Sequence, residues 1–120
     1  MLITIDPQAK TALFEQVTAA IRTAVVTGDL EPGERLPAAR ELATSLEVNM
    51  HTVLRAYRTL RTEGLIQVRP GRGTVVSAQH SRDYQPLRRA LAELVREGDR
   101  VGLSRDGLAD LVRHAPGATA

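Results

Sequence analysis

Three amphipathic helical patterns followed at once by a short alternating hairpin, all within residues 1–76, constrain this chain more than any other feature. Over residues 7–28 the apolar side chains Leu13, Val17, Ala20, Ile21 and Ala24 recur at three- and four-residue intervals, the spacing of one helical face. Gly28 follows the last of them, as glycine does where a helix ends in the left-handed conformation, and residues 28–33 form a turn cluster. A second helix is expected from near Pro37, a residue suited to a first turn, to about Leu46. Glu41 stands three residues after Ala38, where a capping-box glutamate would stand. Ala38 has no oxygen to cap with, and a serine there would contribute about 1 kcal/mol. Two or three residues later a third helix opens at Asn49, a good N-cap, and ends at Gly64. Its apolar face is Val53, Ala56, Tyr57 and Leu60, which places Tyr57 in the core. Arg55, Arg58 and Arg61, three apart, lie together on a flank away from that face. Residues 65–69 alternate as a half-buried strand does, 70–73 (Pro-Gly-Arg-Gly) turn the chain, and 74–76 return as a second strand.

Beyond the hairpin, residues 77–84 are polar and read as a linker. A further amphipathic helix carries Leu87, Leu91, Leu94 and Val95. Residues 98–102 read as a turn, and Ser104 can cap a last short helix carrying Leu108, Leu111 and Val112. Two helices of this length are too few to bury those apolar faces alone. These seven residues are therefore expected to pair two protomers. The expected organisation is 1–76 as one domain, 77–84 as linker, 85–114 as a helical dimerisation segment and 115–120 as a frayed tail.

Charge is more informative in its distribution than in its total. Sixteen Lys+Arg against fourteen Asp+Glu leave a net of +2, and Lys10 is the one lysine among them. Residues 49–76 nevertheless carry five arginines (Arg55, Arg58, Arg61, Arg69, Arg72) and one acid, Glu63, beside an acidic stretch at 29–47. A basic segment of this kind in a near-neutral chain suggests a polyanion-facing surface. The length of 120 residues suits one domain with an appendage and is too short for a two-domain cofactor enzyme. With no cysteine, disulfide scaffolds, thiolate catalysis and cysteine–zinc sites are excluded. The three histidines, His51, His80 and His114, are scattered, so no metal site is expected. Nor is a cofactor or a catalytic constellation. No apolar run approaches the ~18 residues of a membrane span, and the N-terminus lacks a signal-peptide pattern. The expectation is a cytoplasmic protein with no membrane partner.

Helix, turn, helix, short turn, helix and basic hairpin is the order of a winged helix-turn-helix. The expected fold class is therefore mainly α with a small β-hairpin (α+β), followed by the two-helix segment. Such a third helix fits the DNA major groove with its N-terminal residues at base edges. The arginine-tipped hairpin can lie on the backbone or enter the minor groove, with glycines allowing close approach to phosphate.

The spacings of Leu13 to Val17, Gly28 to Pro37, Arg40-Glu41-Leu42-Ala43, Val48-Asn49, Thr52-Val53, Arg55-Ala56-Tyr57, Glu63-Gly64-Leu65-Ile66 and Gly71-Arg72-Gly73-Thr74 resemble the DNA-binding domain of GntR-family transcriptional regulators over residues 10–76. The short C-terminal part resembles the YtrA-type subfamily, whose helices mainly pair protomers. The resemblance implies a bacterial transcriptional regulator, a repressor, binding a partly palindromic double-stranded operator as a homodimer. It implies that Arg40 approaches DNA from the second helix and that Asn49, His51 and Thr52 stand at the start of the recognition helix. Arg55 follows one turn on, and Arg72 lies in the wing tip between Gly71 and Gly73. Arg35 matches a basic position within reach of phosphate. Arg69, also on the hairpin, is either a DNA contact or a partner of Glu63. Two positions depart from the family: Ala38 replaces a serine cap, and Met50 cannot make arginine's bidentate guanine contact but can meet a thymine methyl. Another class of reading is a winged-helix module that binds an acidic protein, or an architectural DNA binder without operator preference. A small-molecule effector would have to bind at the dimer interface or between it and the first domain.

Overall fold

A computed structural model describes residues 3–78 and 84–117. The elements in order are α1 (Leu13–Thr27), α2 (Ala39–Leu46), α3 (Met50–Thr62), β1 (Ile66–Arg69), β2 (Gly73–Val76), α4 (Gln85–Arg100) and α5 (Arg105–His114). The chain is thus mainly α with one small antiparallel hairpin, a winged helix-turn-helix followed by two C-terminal helices. It divides into two compact units, 1–82 and 83–120. Residues 79–83 of the expected linker, His80 among them, and 118–120 of the expected tail lie outside the described residues. Among the described residues, no helix is long and apolar enough to cross a membrane.

In the first unit α3 is central and packs against α1, α2 and β1. Val17 and Ile21 of α1 and Val53, Ala56 and Leu60 of α3 are each 0% exposed. Burial of large aliphatic side chains such as these contributes roughly 1.5–3 kcal/mol apiece, less the ordering entropy. Leu30, Leu36, Leu42, Leu65, Ile66, Val75 and Val76 close the same core. The first helix begins at Leu13, where the apolar period begins, and not at residue 7. Before it, the Gln16 side chain reaches back, accepting from Asp6 N at 2.7 Å and donating to the Asp6 and Thr11 carbonyls at 2.9 Å. Gly28 ends α1 in the left-handed conformation, φ 87°, as its position suggested.

Pro37 does not open α2. It lies one residue before the N-cap, Ala38, and its carbonyl accepts the Tyr57 hydroxyl at 2.7 Å. Had Pro37 been helical, that carbonyl would have turned along the helix axis. Instead the bond ties the start of α2 to the middle of α3. Ala38 makes no side-chain cap, as expected of alanine. In the turn between α2 and α3, Glu47 takes φ 57°, the left-handed region, with Val48 N donating to the Ala43 carbonyl at 3.0 Å. Asn49 then caps α3, its side-chain oxygen accepting from His51 N at 2.8 Å.

The hairpin pairs Ile66 with Val76 and Arg69 with Gly73. Its turn is closed by Arg72 N on the Arg69 carbonyl at 3.0 Å, with Pro70 and then Gly71 (φ 76°) between them, the pattern of a type II turn. Residues 33–36 run beside β2. Leu36 N donates to Thr74 O and Val76 N to Glu34 O, each at 2.8 Å. The sequence pattern did not reveal this edge, because a single isolated bridge, Arg35 to Val75, is too short to show a period of two. Alternation on β1 also breaks. Ile66 is buried but Val68, which shares its face, is 56% exposed, because the hairpin runs out past the end of the core.

In the second unit, α4 continues to Arg100, so the expected turn at 98–102 is displaced. Gly98 lies inside the helix and is buried. A Cβ placed there would stand 2.7 Å from Leu108 Cδ1, so the glycine admits the leucine of α5 against the helix backbone. Leu108 is therefore 6% exposed and is used within its own unit, not on an outer face. Leu87, Leu91, Leu111 and Val112 are 45–60% exposed, and Leu94 and Val95 are half-buried. Ser104 caps α5, accepting from Gly107 N at 3.0 Å.

Two stability predictions follow from the helix-turn-helix. Glu47→Gly is expected to raise unfolding stability by about 1 kcal/mol, because the left-handed cost of a side chain exceeds the entropy that glycine loses. Urea denaturation monitored by circular dichroism checks this, and an unchanged or lower midpoint would contradict it. The second concerns Tyr57, whose hydroxyl pKa is pushed up to about 12, by burial first and the Glu41 charge second. The folded state then holds a proton that the unfolded chain releases near pH 10, so stability is full below pH 10 and falls between about 10 and 12 by roughly 2–3 kcal/mol. Tyr57→Phe should remove that alkaline loss while costing about 1 kcal/mol at neutral pH through the unmet Pro37 carbonyl.

Candidate nucleic-acid interface

With one face of α3 buried, the opposite face is fixed as exposed. Val53, Ala56, Tyr57 and Leu60 point inward, so His51, Arg55 and Arg58 form an exposed ridge along the helix, with Thr52 half-buried on one flank and Leu54 and Arg61 exposed on the other. Asn49 ends the ridge and is itself exposed while it caps.

On the α1 side, Asn49, His51, Thr52 and Arg55 line one open depression with Ala12, Leu13 and Phe14. Arg55 lies over the Phe14 ring, 3.6 Å from its centroid. This cation–π contact, worth roughly 0.5–1 kcal/mol at an exposed site, holds the guanidinium against the start of α1. Spacing within α3 could not have shown it, because its partner lies in another helix. A single phenylalanine at the first turn of the first helix was the only available sign.

On the other side an open cleft of about 320 Å³ lies between α3 and the hairpin. Arg35, Arg58, Arg61, Leu54, Val68 and Gly73 are among its walls. Arg35 is carried there by the strand-like segment 33–36. A Cβ at Gly73 would stand 3.7 Å from Arg35 Nε, so the guanidinium lies against a glycine at φ 82° beside the turn of the wing. Arg58 and Arg61, which the sequence placed only on a flank, thus share a cleft with Arg35. Helix periodicity gives their side of α3, but not that the wing folds back to face it.

At the wing tip Gly71, Arg72 and Gly73 are all exposed. Arg69 does not pair with Glu63. Arg22 of α1 engages that carboxylate in a two-point ion pair, Nε to Oε1 at 3.0 Å and Nη2 to Oε2 at 2.6 Å. These hydrogen bonds hold the Glu63 carboxyl below its ordinary value and the Arg22 guanidinium above its own. Arg69 lies instead along β1, with Nε and Nη2 each 3.0 Å from the end of the Gln67 amide, where only the amide oxygen could accept from both. Arg40 stands exposed in the first turn of α2. The first unit therefore carries every expected DNA-facing residue on its surface. Most fall in three groups, the depression beside α1, the cleft at the wing and the wing tip, while Arg40 stands apart on α2 and Arg69 on β1.

Comparison with known proteins agrees with this geometry. Residues 13–76 match the family model described as bacterial regulatory proteins, gntR family. The chain is 41% identical over 76 residues to the HTH-type transcriptional repressor YtrA of Bacillus subtilis, a match covering 63% of this chain and 58% of that protein. It is 32% identical over 116 residues to an HTH-type transcriptional regulator of Mycobacterium tuberculosis, covering 93% of this chain and 92% of that protein. Among solved structures, YtrA from Sulfolobus acidocaldarius, a GntR-family transcription factor, is similar with a TM-score of 0.62 and 33% identity, covering 92% of this chain and 93% of that one. The AraR DNA-binding domain in complex with operator ORX1 is similar with a TM-score of 0.54 and 26% identity, covering 62% of this chain and 93% of that one. The winged helix-turn-helix built on α1, α2, α3 and the hairpin belongs to the GntR family of bacterial regulatory proteins.

Proposed function

We propose that this regulator binds a specific double-stranded operator through the ridge of α3, acts as a repressor in the cytoplasm, and does so as a homodimer. The observation that carries the reading is the ridge itself. His51, Arg55 and Arg58 are exposed on a helix whose other face is buried, with the capped N-terminus leading. Such a helix enters the major groove with its first turns at base edges. Arg40, Asn49 and Thr52 flank it, and Arg72 extends on a wing whose glycines let the main chain approach phosphate. The repressor named among the relatives and the operator-bound AraR domain among the neighbours support this assignment.

The homodimer rests on α4 and α5. Leu87, Leu91, Leu111 and Val112 leave an apolar face in water that Leu94 and Val95 extend. A second copy of the same helical pair would cover it through a two-fold contact, which pairs two α3 helices on an inverted repeat. Leu108, packed on Gly98, supports that face from inside and does not form part of it.

The direct test is selection of sheared genomic DNA at about 150 mM salt, where non-specific binding is weakened. A small set of fragments sharing an inverted repeat is the expected result; recovery without a shared motif would refute operator binding. On the recovered operator, Arg40→Ala and Arg55→Ala should each cost roughly 1–3 kcal/mol if they meet bases, whereas Arg72→Ala should weaken most sequences alike and flatten the salt dependence. Equal affinity in both Arg40→Ala and Arg55→Ala would remove the proposed docking. Sedimentation should give a dimer at micromolar concentration, and Leu91→Glu a monomer. A wild-type chain that stays monomeric with and without DNA would rule the dimer out.

A further inference from the structure

We infer that Phe14, in α1 and outside the recognition helix, is a positioning residue for operator selection: its ring holds the Arg55 guanidinium by one face and leaves the donor edge for a guanine. This rests on the reading that α3 enters the major groove of an operator. The central guanidinium carbon of Arg55 stands over the Phe14 ring, 3.6 Å from its centroid. That is contact distance for two flat groups lying face to face. A guanidinium that aimed an N–H at the ring would hold its central carbon farther out. Stacking occupies the face only. The N–H donors lie around the edge, and among the described residues none of them has a hydrogen-bond acceptor or a carboxylate. Arg22, on the same helix as Phe14, is the opposite case, with its edge engaged by both oxygens of Glu63.

The ring is itself held in place. Phe14 is half-buried, and Val17, less than one turn on, has no surface in water. The buried Thr18 hydroxyl donates to the Phe14 carbonyl at 2.6 Å. Gln16 ties residues 6 and 11 back to this first turn of α1. Phe14 therefore gives Arg55 a support that does not move with it. A fixed guanidinium plane matters for one kind of acceptor. Guanine O6 and N7 lie in a single plane in the major groove and take two donors from one arginine. A phosphate accepts from many directions and takes lysine as a point charge. A free arginine loses its rotamers when it binds, whereas a stacked one has lost most of them beforehand, so the stack favours the acceptor that needs the plane. Arg58 and Arg61 have no ring contact among the described residues and bring charge without that constraint.

The test uses the full-length protein, the operator duplex recovered by genomic selection and an unrelated duplex of equal length, with binding read by fluorescence anisotropy at one fixed salt concentration. Replacing one guanine at a time by 7-deazaguanine removes the N7 acceptor without changing charge. Wild type should lose about fivefold at one guanine of each half-site, and Arg55→Ala should lose nothing further there. Phe14→Leu should weaken the operator about threefold per half-site, leave the unrelated duplex unchanged, and add nothing in the Arg55→Ala background. Phe14→Tyr should bind as wild type does. Arg55→Lys should keep the unrelated duplex and lose selectivity. Thermal melting followed by circular dichroism confirms that the variants fold. A Phe14→Leu loss that persists in the Arg55→Ala background, or that extends to the unrelated duplex, would overturn the proposal in favour of a packing role for the ring. Unchanged operator affinity in Phe14→Leu would overturn it outright, and tighter binding would replace it with a ring that withholds Arg55 from DNA. Equal losses in wild type and Arg55→Ala at every guanine would overturn it in favour of a phosphate contact. Failure of the wild type to prefer any DNA would instead remove the operator-binding reading beneath it.

Discussion

Val17 and Ile21 of α1 and Val53, Ala56 and Leu60 of α3 have no surface left in water, and the orientation of α3 follows from that seam. Turning α3 about its own axis would return these side chains to solvent and open a cavity against α1, at a cost of several kcal/mol in a close-packed interior. The helix is therefore held at one rotation, and the residues opposite the seam are exposed by consequence. His51, Arg55 and Arg58 need no individual force to face outward. They do so because Val53, Ala56, Tyr57 and Leu60 of the same helix are needed inside.

Rotation alone does not fix where the helix begins or what stands beside it. Those details come from directional contacts of smaller energy. Asn49 ends the helix at a defined residue, the Tyr57 hydroxyl ties the entrance of α2 to the middle of α3, and the Arg22–Glu63 pair joins α1 to the far end of α3. That last pair is half-exposed and adds little stability by itself. Its effect is on placement, since it holds the Glu63 carboxylate against α1. Phe14 does the same for Arg55, turning a long flexible cation into one with a preferred place.

Much of this was legible in the residue order. The apolar periods of α1 and α3, the glycine that closes α1, the Asn49 cap, the core position of Tyr57 and the hairpin with its glycine turn all follow from local rules that the structure obeys. The misreadings share a cause. Local preference alone makes Pro37 a first helical residue and Gly98 a turn. Each has a long-range partner that overrides the preference: the Tyr57 hydroxyl for one, the Leu108 side chain for the other. The strand-like segment 33–36 carries no local signal because its pairing lies with β2, some forty residues later in the chain.

The sequence by itself determined the kinds of element, their order and the concentration of arginine on the third helix and the hairpin. These are matters of periodicity, capping and charge along a short stretch of chain. The tertiary structure decided which arginines act together. Arg55 is drawn to Phe14 on one side of α3, while Arg58 and Arg61 join Arg35 on the other. The physical reason is that a helical period fixes the direction in which a side chain leaves its own helix. What it meets there depends on how α1 and the wing are folded around that helix by a core whose members come from distant parts of the chain.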